Sequence, residues 1–429
     1  MTAATFDAVV VGAGPAGSAA AAALARRGRR VCVLEAERFP RFHIGESLLP
    51  LGHRVFAELG VAETLQRAGF VQKRGAQLLT PCGGHRVLFD FEATRVNPPF
   101  THQVHRAEFD DLLLQHAVRA GAELQTARVR DFRIGDDGVE VTHVGADGVE
   151  RTVRAKALID ASGRAGVVAR RQGVRVVDEE LRKAAIYAHF RGVAVDDGKR
   201  GGDTRIIALP RLGWFWLIPL KDGVMSVGAV LDIADYQGRE KGDPARLFAE
   251  SLAEAPLAAR LLAGAERISD FHVESGFSYR STSYCGDRWF LAGDAGSFLD
   301  PIFSTGVLMA LQSGVEAAAA VDRGYLQARP DPQRALASYQ RTLQSRYWFV
   351  RRFVTGFYDA ATRDMFFAPR RFLGLARAVT TVLAGGFELG WLDRLRLQVF
   401  FLLGRLQKRF DMVPRLSTAA EPAVRERSA

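Results

Sequence analysis

The stretch "AVVVGAGPAGSAAAAALA", Ala8 to Ala25, constrains the fold more than any other in the chain. An apolar, β-branched run ends at Val11, glycines follow at Gly12, Gly14 and Gly17, and an alanine-rich segment continues at helical length. Glycine at these places permits a tight turn, lets the backbone approach a pyrophosphate, and starts a helix whose N-terminus faces the phosphate charge. A second apolar run, "RRVCVLE", ends at Glu35, eighteen residues beyond Gly17. Its carboxylate is placed to accept hydrogen bonds from ribose hydroxyls and disfavours a 2′-phosphate. Strand, glycine turn, helix and strand make half of a doubly wound α/β unit.

The 429 residues, 48% hydrophobic, suffice for two or three domains around a large core. Strand-like runs such as "AAIYAHFRGV", "TRIIALP", "WFWLIPL" and "VMSVGAVL" predict a mixed or antiparallel β-sheet substrate domain over 76–103 with 181–268. It interrupts a Rossmann-like cofactor domain over 1–75, 104–180 and 269–330. A helical region follows over 331–416, and 417–429 reads as a disordered tail. The N-terminus carries no basic n-region and no apolar run reaches membrane-spanning length, so no export and no transmembrane segment are expected. Cys32, Cys82 and Cys285 are widely spaced and odd in number, which points to neither a disulfide framework nor zinc and fits a reducing cytoplasm. His43, His53, His85, His102 and His105 show no ligand spacing, so no metal is expected. The formal charge of +10 favours acidic partners or simply solubility. No zinc finger or RNA-binding signature supports nucleic acid.

Whether the cofactor is a nicotinamide or a flavin turns on "LAGDAGSFLDP", where Asp294 follows an apolar strand and a long helix begins a few residues later. A carboxylate there suits a polyhydroxyl ribityl chain, and the helix N-terminus suits an electron-rich ring. The segment resembles the second FAD motif of the p-hydroxybenzoate-hydroxylase-like flavoproteins. Arg106 in "VHRAEFDDLLLQHA" matches the arginine that this family directs toward FAD, and "IDASGR", Ile159 to Arg164, resembles its intermediate motif. The resemblance implies FAD.

Three further stretches resemble the flavin-dependent halogenases, in motif order over roughly residues 5 to 365. "GWFWLIPL" matches their WxWxIP motif at Trp214, Trp216, Ile218 and Pro219. Both indoles lie on one face of a strand and, by the resemblance, wall the flavin off from the organic substrate. "FPRFHIGESLLP", with Gly45, Glu46 and Ser47, resembles the strap that covers the flavin; Glu46 is expected to support that strap or cap its helix. "FLDPIFSTGVLMAL" matches the "DPxFSSG" run of the phenol- and pyrrole-directed branch. The resemblance implies that reduced FAD and oxygen convert chloride or bromide to hypohalous acid, with Thr305 and Gly306 touching the halide where a helix N-terminus offers an anion seat. It also implies Lys73, in "KRGA", as the amine that guides the acid to the substrate; in an apolar tunnel its pKa should fall. Phe303, by the resemblance a substrate-pocket residue, stands where tryptophan halogenases carry a glutamate, so a phenol or pyrrole, needing less help to lose its ring proton, is the expected substrate.

The segment "YQRTLQSRYWFVRRFVTGFYDAATRDMFF" interleaves aromatics and arginines at helical spacing and reads as a helix with a buried aromatic stripe. The resemblance implies a covering over the substrate tunnel, a separate flavin reductase as partner, and an acidic acyl or peptidyl carrier protein as a candidate second partner. "LGWLDRLRLQVFFLLGRLQKRF", Leu389 to Phe410, is basic and apolar enough for a membrane surface, but packing on the main body is the expectation. Two other readings stay open. One is a flavoprotein monooxygenase or geranylgeranyl-reductase-like oxidoreductase, against which stand the tryptophan pair and the missing strap cysteine, since Ile44 precedes Gly45. The other is a non-catalytic FAD protein that binds a partner.

Overall fold

The computed structural model describes residues 5–238, 243–368 and 374–416, so the expected tail over 417–429 lies outside the described residues. The first sheet has seven strands. Thr5–Val11 lies between Val31–Glu35 and Glu150–Asp160, parallel to both, and Trp289–Leu291 extends the parallel set beyond Glu150–Asp160. Glu123–Gly135 and Gly138–Gly145 form the antiparallel excursion that returns the chain to Glu150–Asp160. The helix Pro15–Ala25 is buried along its whole length. That explains its lack of a polar face: alanines let it sit between the sheet and the helices Arg106–Arg119 and Gly306–Val321.

The second sheet has eight strands. Lys183–Arg191, Val224–Asp232, Trp214–Pro219 and Thr204–Ala208 pair antiparallel in that spatial order. Gly75–Leu79 then joins parallel to Thr204–Ala208, with Arg86–Asp90 beyond it. His272–Ser275, which the sequence grouped with the cofactor domain, pairs instead with Lys183–Arg191. A separate two-stranded ribbon, Val71–Lys73 against Thr101–Gln103, leads into this sheet.

The helices Pro332–Phe357, Ala360–Phe367, Leu375–Leu383 and Trp391–Leu406 share an apolar core with one face of the second sheet. Phe303, Phe353, Phe357, Phe366, Phe400 and Phe401 form a chain of edge-to-face and tilted ring contacts within it. The last helix buries Leu397, Phe400, Phe401 and Gly404 and turns Trp391, Leu395 and Leu402 outward. Among the described residues no helix is long and apolar enough to cross a membrane.

Candidate active site

A cavity of about 550 Å³ opens between the two sheets and is walled by the glycine turn, the strap, the "IDASGR" loop, the tryptophan strand and the start of the Gly306–Val321 helix. Gly12 has φ +93°, and a Cβ there would collide with the carbonyl oxygen of Ala161. A Cβ on Gly17 would in turn collide with the Gly12 carbonyl. The turn therefore closes only with hydrogen at both positions. Gly12, Gly14 and Glu35 are on the cavity wall, while Gly17 supports the turn from within the helix. Glu35 accepts from the amides of Ala13 at 2.6 Å and Glu37 at 2.8 Å, which holds its carboxylate at the mouth of the turn.

Asp160 is buried and accepts from the Ser162 amide at 3.0 Å and the Val168 amide at 2.6 Å, so it locks the loop that carries Arg164 to the cavity. Asp294 faces the same space. Burial pushes its carboxyl up to about 6, and the cations of Arg106, Arg164 and Arg175 oppose that rise. A glycine cradle whose space a Cβ would fill, a fixed acid at the second strand end and a cavity-facing aspartate among three arginines fit FAD in size and donor set.

Arg106 reaches the cavity wall but spends most of its donors inside the protein. Nε and one terminal nitrogen donate to Asp110 at 2.7 and 2.9 Å, and the other donates to the strap carbonyls of Ile44 and Gly45 at 2.5 and 3.3 Å. It ties the strap to the helix behind it. Glu46 is 1% exposed: one carboxylate oxygen lies 2.7 Å from His189 Nε2, and the other is buried without a partner among the described residues. His189 stands on Lys183–Arg191 and carries no motif in the sequence.

The tryptophan strand Trp214–Pro219 is buried throughout, with Trp214, Trp216 and Ile218 on the cavity wall. The two indoles lie 5.9 Å apart on the same face. Pro219 ends the strand opposite Met225. Trp216 pairs with Gly228, where a Cβ would run into the six-membered ring of the indole, and Trp216 Nε1 donates to Ser226 Oγ at 3.1 Å. Trp214 Nε1 donates to the Tyr358 hydroxyl at 2.8 Å, which donates to Asp300 at 2.9 Å. Asp300 also accepts from the Ile302 amide at 2.9 Å, and burial pushes its carboxyl up to about 6. The partition is thus fastened to the loop before the last cofactor-side helix through a tyrosine of the C-terminal region. Motif reading missed Tyr358 because its partners lie 144 and 58 residues away.

Ser304 has φ 55°, and Thr305 precedes the first turn of Gly306–Val321 without a side-chain capping bond. Gly306 lines the large cavity, and Thr305 and Gly306 both line a smaller one of about 30 Å³ beside Asp294, Asp300 and Arg346. Phe303 is not on the wall of the large cavity. Its ring packs against Phe353, Phe357 and Phe366, so it belongs to the aromatic core under the C-terminal helices.

Lys73 closes the ribbon strand Val71–Lys73 and is 2% exposed. Its Nζ donates to Ser47 Oγ at 2.8 Å and to the Leu48 carbonyl at 3.2 Å, and lies 5.6 Å from the centre of the Phe91 ring. Burial lowers its pKa to about 7, and Asp203 pulls the other way. Lys73 does not line the cavity, whereas Ser47 and Thr204 do. Gly45, Glu46 and Ser47 all stand on the cavity wall.

Comparison with known proteins agrees with this geometry. The family model described as FAD binding domain matches residues 5–351. The 1H-pyrrole-2-carbonyl-[peptidyl-carrier protein] brominase of Pseudoalteromonas luteoviolacea (strain 2ta16) is 34% identical over 321 residues, 74% of this chain and 77% of that protein. The tryptophan 2-halogenase of Chondromyces crocatus is 34% identical over 373 residues, 83% of this chain and 68% of that one. Among solved structures, a flavin-dependent brominase superimposes with a TM-score of 0.82 at 29% identity, covering 94% of this chain and all of that chain. The chain belongs to the FAD-binding-domain family and, within it, to the flavin-dependent halogenases.

Proposed function

We propose that the protein halogenates an electron-rich aromatic, a phenol or a pyrrole, with Lys73 as the residue that directs the halogen. The observation that carries this reading is the Lys73 amine itself: buried, with a pKa lowered to about 7, and hydrogen-bonded to a strap residue on the cavity wall. Bound FAD, reduced and exposed to oxygen, supplies the oxidant that turns halide into hypohalous acid. Gly12, Gly14, Gly17, Glu35, Arg106 and Asp294 hold the cofactor, and Gly45, Glu46 and Ser47 cover it.

The amide groups at Thr305 and Gly306, with the helix dipole behind them, offset part of the hydration that a halide loses on entering. Trp214, Trp216 and Ile218 keep the arene away from the flavin, and Pro219 ends the strand that carries them. No carboxylate stands at position 303, whose phenylalanine packs into the aromatic core, and this supports an arene that needs no such base. The matched tryptophan halogenase bears on this point, because a free indole substrate would contradict it.

The reduced cofactor comes from a separate flavin reductase. The matched carrier-protein brominase supports a carrier-tethered acyl pyrrole as one form of the substrate, and the +10 charge of the chain suits an acidic carrier. The test supplies the purified protein with reduced FAD, oxygen and bromide or chloride. Products from free phenols, free tryptophan and pyrrole acids, with and without a carrier, are read by mass. Monohalogenated phenol or pyrrole is expected; hydroxylated product alone, or halogenated free tryptophan in preference to both, would overturn the reading.

A further inference from the structure

Lys73 does not reach the cavity in which the chemistry is placed, so two hydroxyls stand between them. Ser47 Oγ, 2.8 Å from Lys73 Nζ, lies 3.1 Å from Thr204 Oγ1, and both hydroxyl residues line the cavity. We propose that Ser47 and Thr204 form a proton wire through which Lys73 changes protonation state without itself meeting solvent. The proposal rests on the reading of Lys73 as the residue that directs the halogen.

The hydrogen bonds of Gln103 set the polarity of the wire. Gln103 Nε2 donates to the Gly202 carbonyl at 3.0 Å, an acceptor-only partner that fixes which end of the amide faces inward. The same nitrogen donates to Thr204 Oγ1 at 2.8 Å. Thr204 therefore always accepts from Gln103, and its own proton is free to point at Ser47 or into the cavity. Lys73 as an ammonium donates to Ser47, Ser47 to Thr204, and Thr204 to an acceptor in the cavity. Lys73 as an amine offers a lone pair to Ser47, and each hydroxyl turns round. Both states satisfy every group in the row.

Passage from the first state to the second is balanced. The ammonium gives one proton to Ser47 Oγ, Ser47 passes its own to Thr204 Oγ1, and Thr204 passes its own to a water or oxyanion in the cavity. Each oxygen ends with one hydrogen, and the lysine has one fewer. The reverse passage reprotonates the amine. Halogen transfer from hypohalous acid to an arene leaves hydroxide and frees the ring proton, which together make water; an ammonium that donates to the departing oxygen through the two hydroxyls regains its proton by the same route.

The surroundings leave this route uncontested by other acids at the amine. Asp203, paired with Arg200, is the nearby carboxylate that acts on Lys73. Arg74 follows Lys73 and binds Glu92. His102 faces the opposite side of the ribbon, since it pairs with Gln72. Glu46, next to Ser47, is paired with His189. Thr101 Oγ1 and Gln103 Oε1 share the Lys73 face of the ribbon and are buried without partners among the described residues, which marks where an ordered water would complete the network.

The test compares Thr204→Val, which removes the hydroxyl at constant shape, with Thr204→Ser, which restores it. A soluble scavenger traps hypohalous acid that escapes unused. Thr204→Val should lower halogenated product per halide oxidised by about tenfold or more, raise trapped oxidant, and displace the pH at which product formation is half-maximal. Thr204→Ser should recover product to within about twofold of wild type. Equal impairment in both variants, or none in either, would overturn the wire.

A measurement on the unaltered protein guards against misfolding of the variants. Single-turnover halogenation in mixtures of light and heavy water should show a curved dependence on deuterium fraction, because several protons move together; a straight line overturns the wire. Lys73→Met separates the two claims. If it still forms product, the role of Lys73 fails. If it forms none while Thr204→Val matches wild type, the wire alone fails.

Discussion

A lysine with 2% exposure is costly unless its charge is given up or compensated, and Lys73 has two neutral hydrogen-bond partners and the Asp203 carboxylate acting through space. Its folded pKa, about 7, lies below the 10.5 of a free lysine. Between those values the unfolded chain binds a proton that the folded one does not, so this group makes the protein more stable as pH rises from about 7 toward 10.5. Asp294 and Asp300, raised to about 6, act oppositely: each lowers stability as pH climbs from about 4 to 6. Denaturation midpoints of wild type and Lys73→Met at pH 7 and pH 9.5 check the first statement. The wild type should gain on the variant at the higher pH, and parallel midpoints would refute it. The sequence singled out Glu35 and Asp294, which stand on the cavity wall, and Lys73, which is buried behind Ser47, because each sits in a motif. It was silent on Thr204, His189 and Tyr358, because their partners come from distant strands and helices.

The tryptophan strand shows what an element adds to its motif. Two indoles on one face were legible from the alternation of side chains along a strand, but what holds them flat was not. Gly228 on the neighbouring strand lies under Trp216, Ser226 takes the Trp216 N–H, and Tyr358 takes the Trp214 N–H. In the sequence, Gly228 looks only like a weak point in "VMSVGAVL". Gly228→Ala should displace the Trp216 ring and cost about 1–3 kcal/mol of stability, the usual range for overpacking a full core. Near-ultraviolet dichroism and a denaturant titration measure both effects; an unchanged tryptophan signal with wild-type stability would contradict the packing. Phe303 teaches the converse. Its place in the halide-loop motif made it an expected pocket residue, yet the C-terminal aromatics that bury it lie 50 to 63 residues further on, beyond what local pattern can reveal.

For the whole molecule, the doubly wound unit, the strands of the second sheet and the helical C-terminal region were all readable from periodicity and turn residues. The seam between the sheets was harder. His272–Ser275 resembles any short strand in sequence and joins the second sheet along the edge of Lys183–Arg191. The +10 charge is likewise a property of the whole chain. If it steers an acidic carrier, kcat/KM for the carrier-bound substrate should fall severalfold between about 0.05 and 0.3 M salt, as screening shortens the reach of the charges, while kcat/KM for a free substrate stays level. Equal salt dependence for both forms would remove steering from the account.

The proposed reaction makes Lys73, acting through Ser47 on the cavity wall, necessary for oxidant formed beside the flavin to reach the arene. The most direct measurement is the fate of oxidised halide in Lys73→Met, with arene and scavenger present together. Oxygen and halide should still be consumed, the scavenger should capture the oxidant, and halogenated arene should fall by about 10²-fold or more. Halogenated arene formed at the wild-type rate and at the wild-type ring position would contradict it.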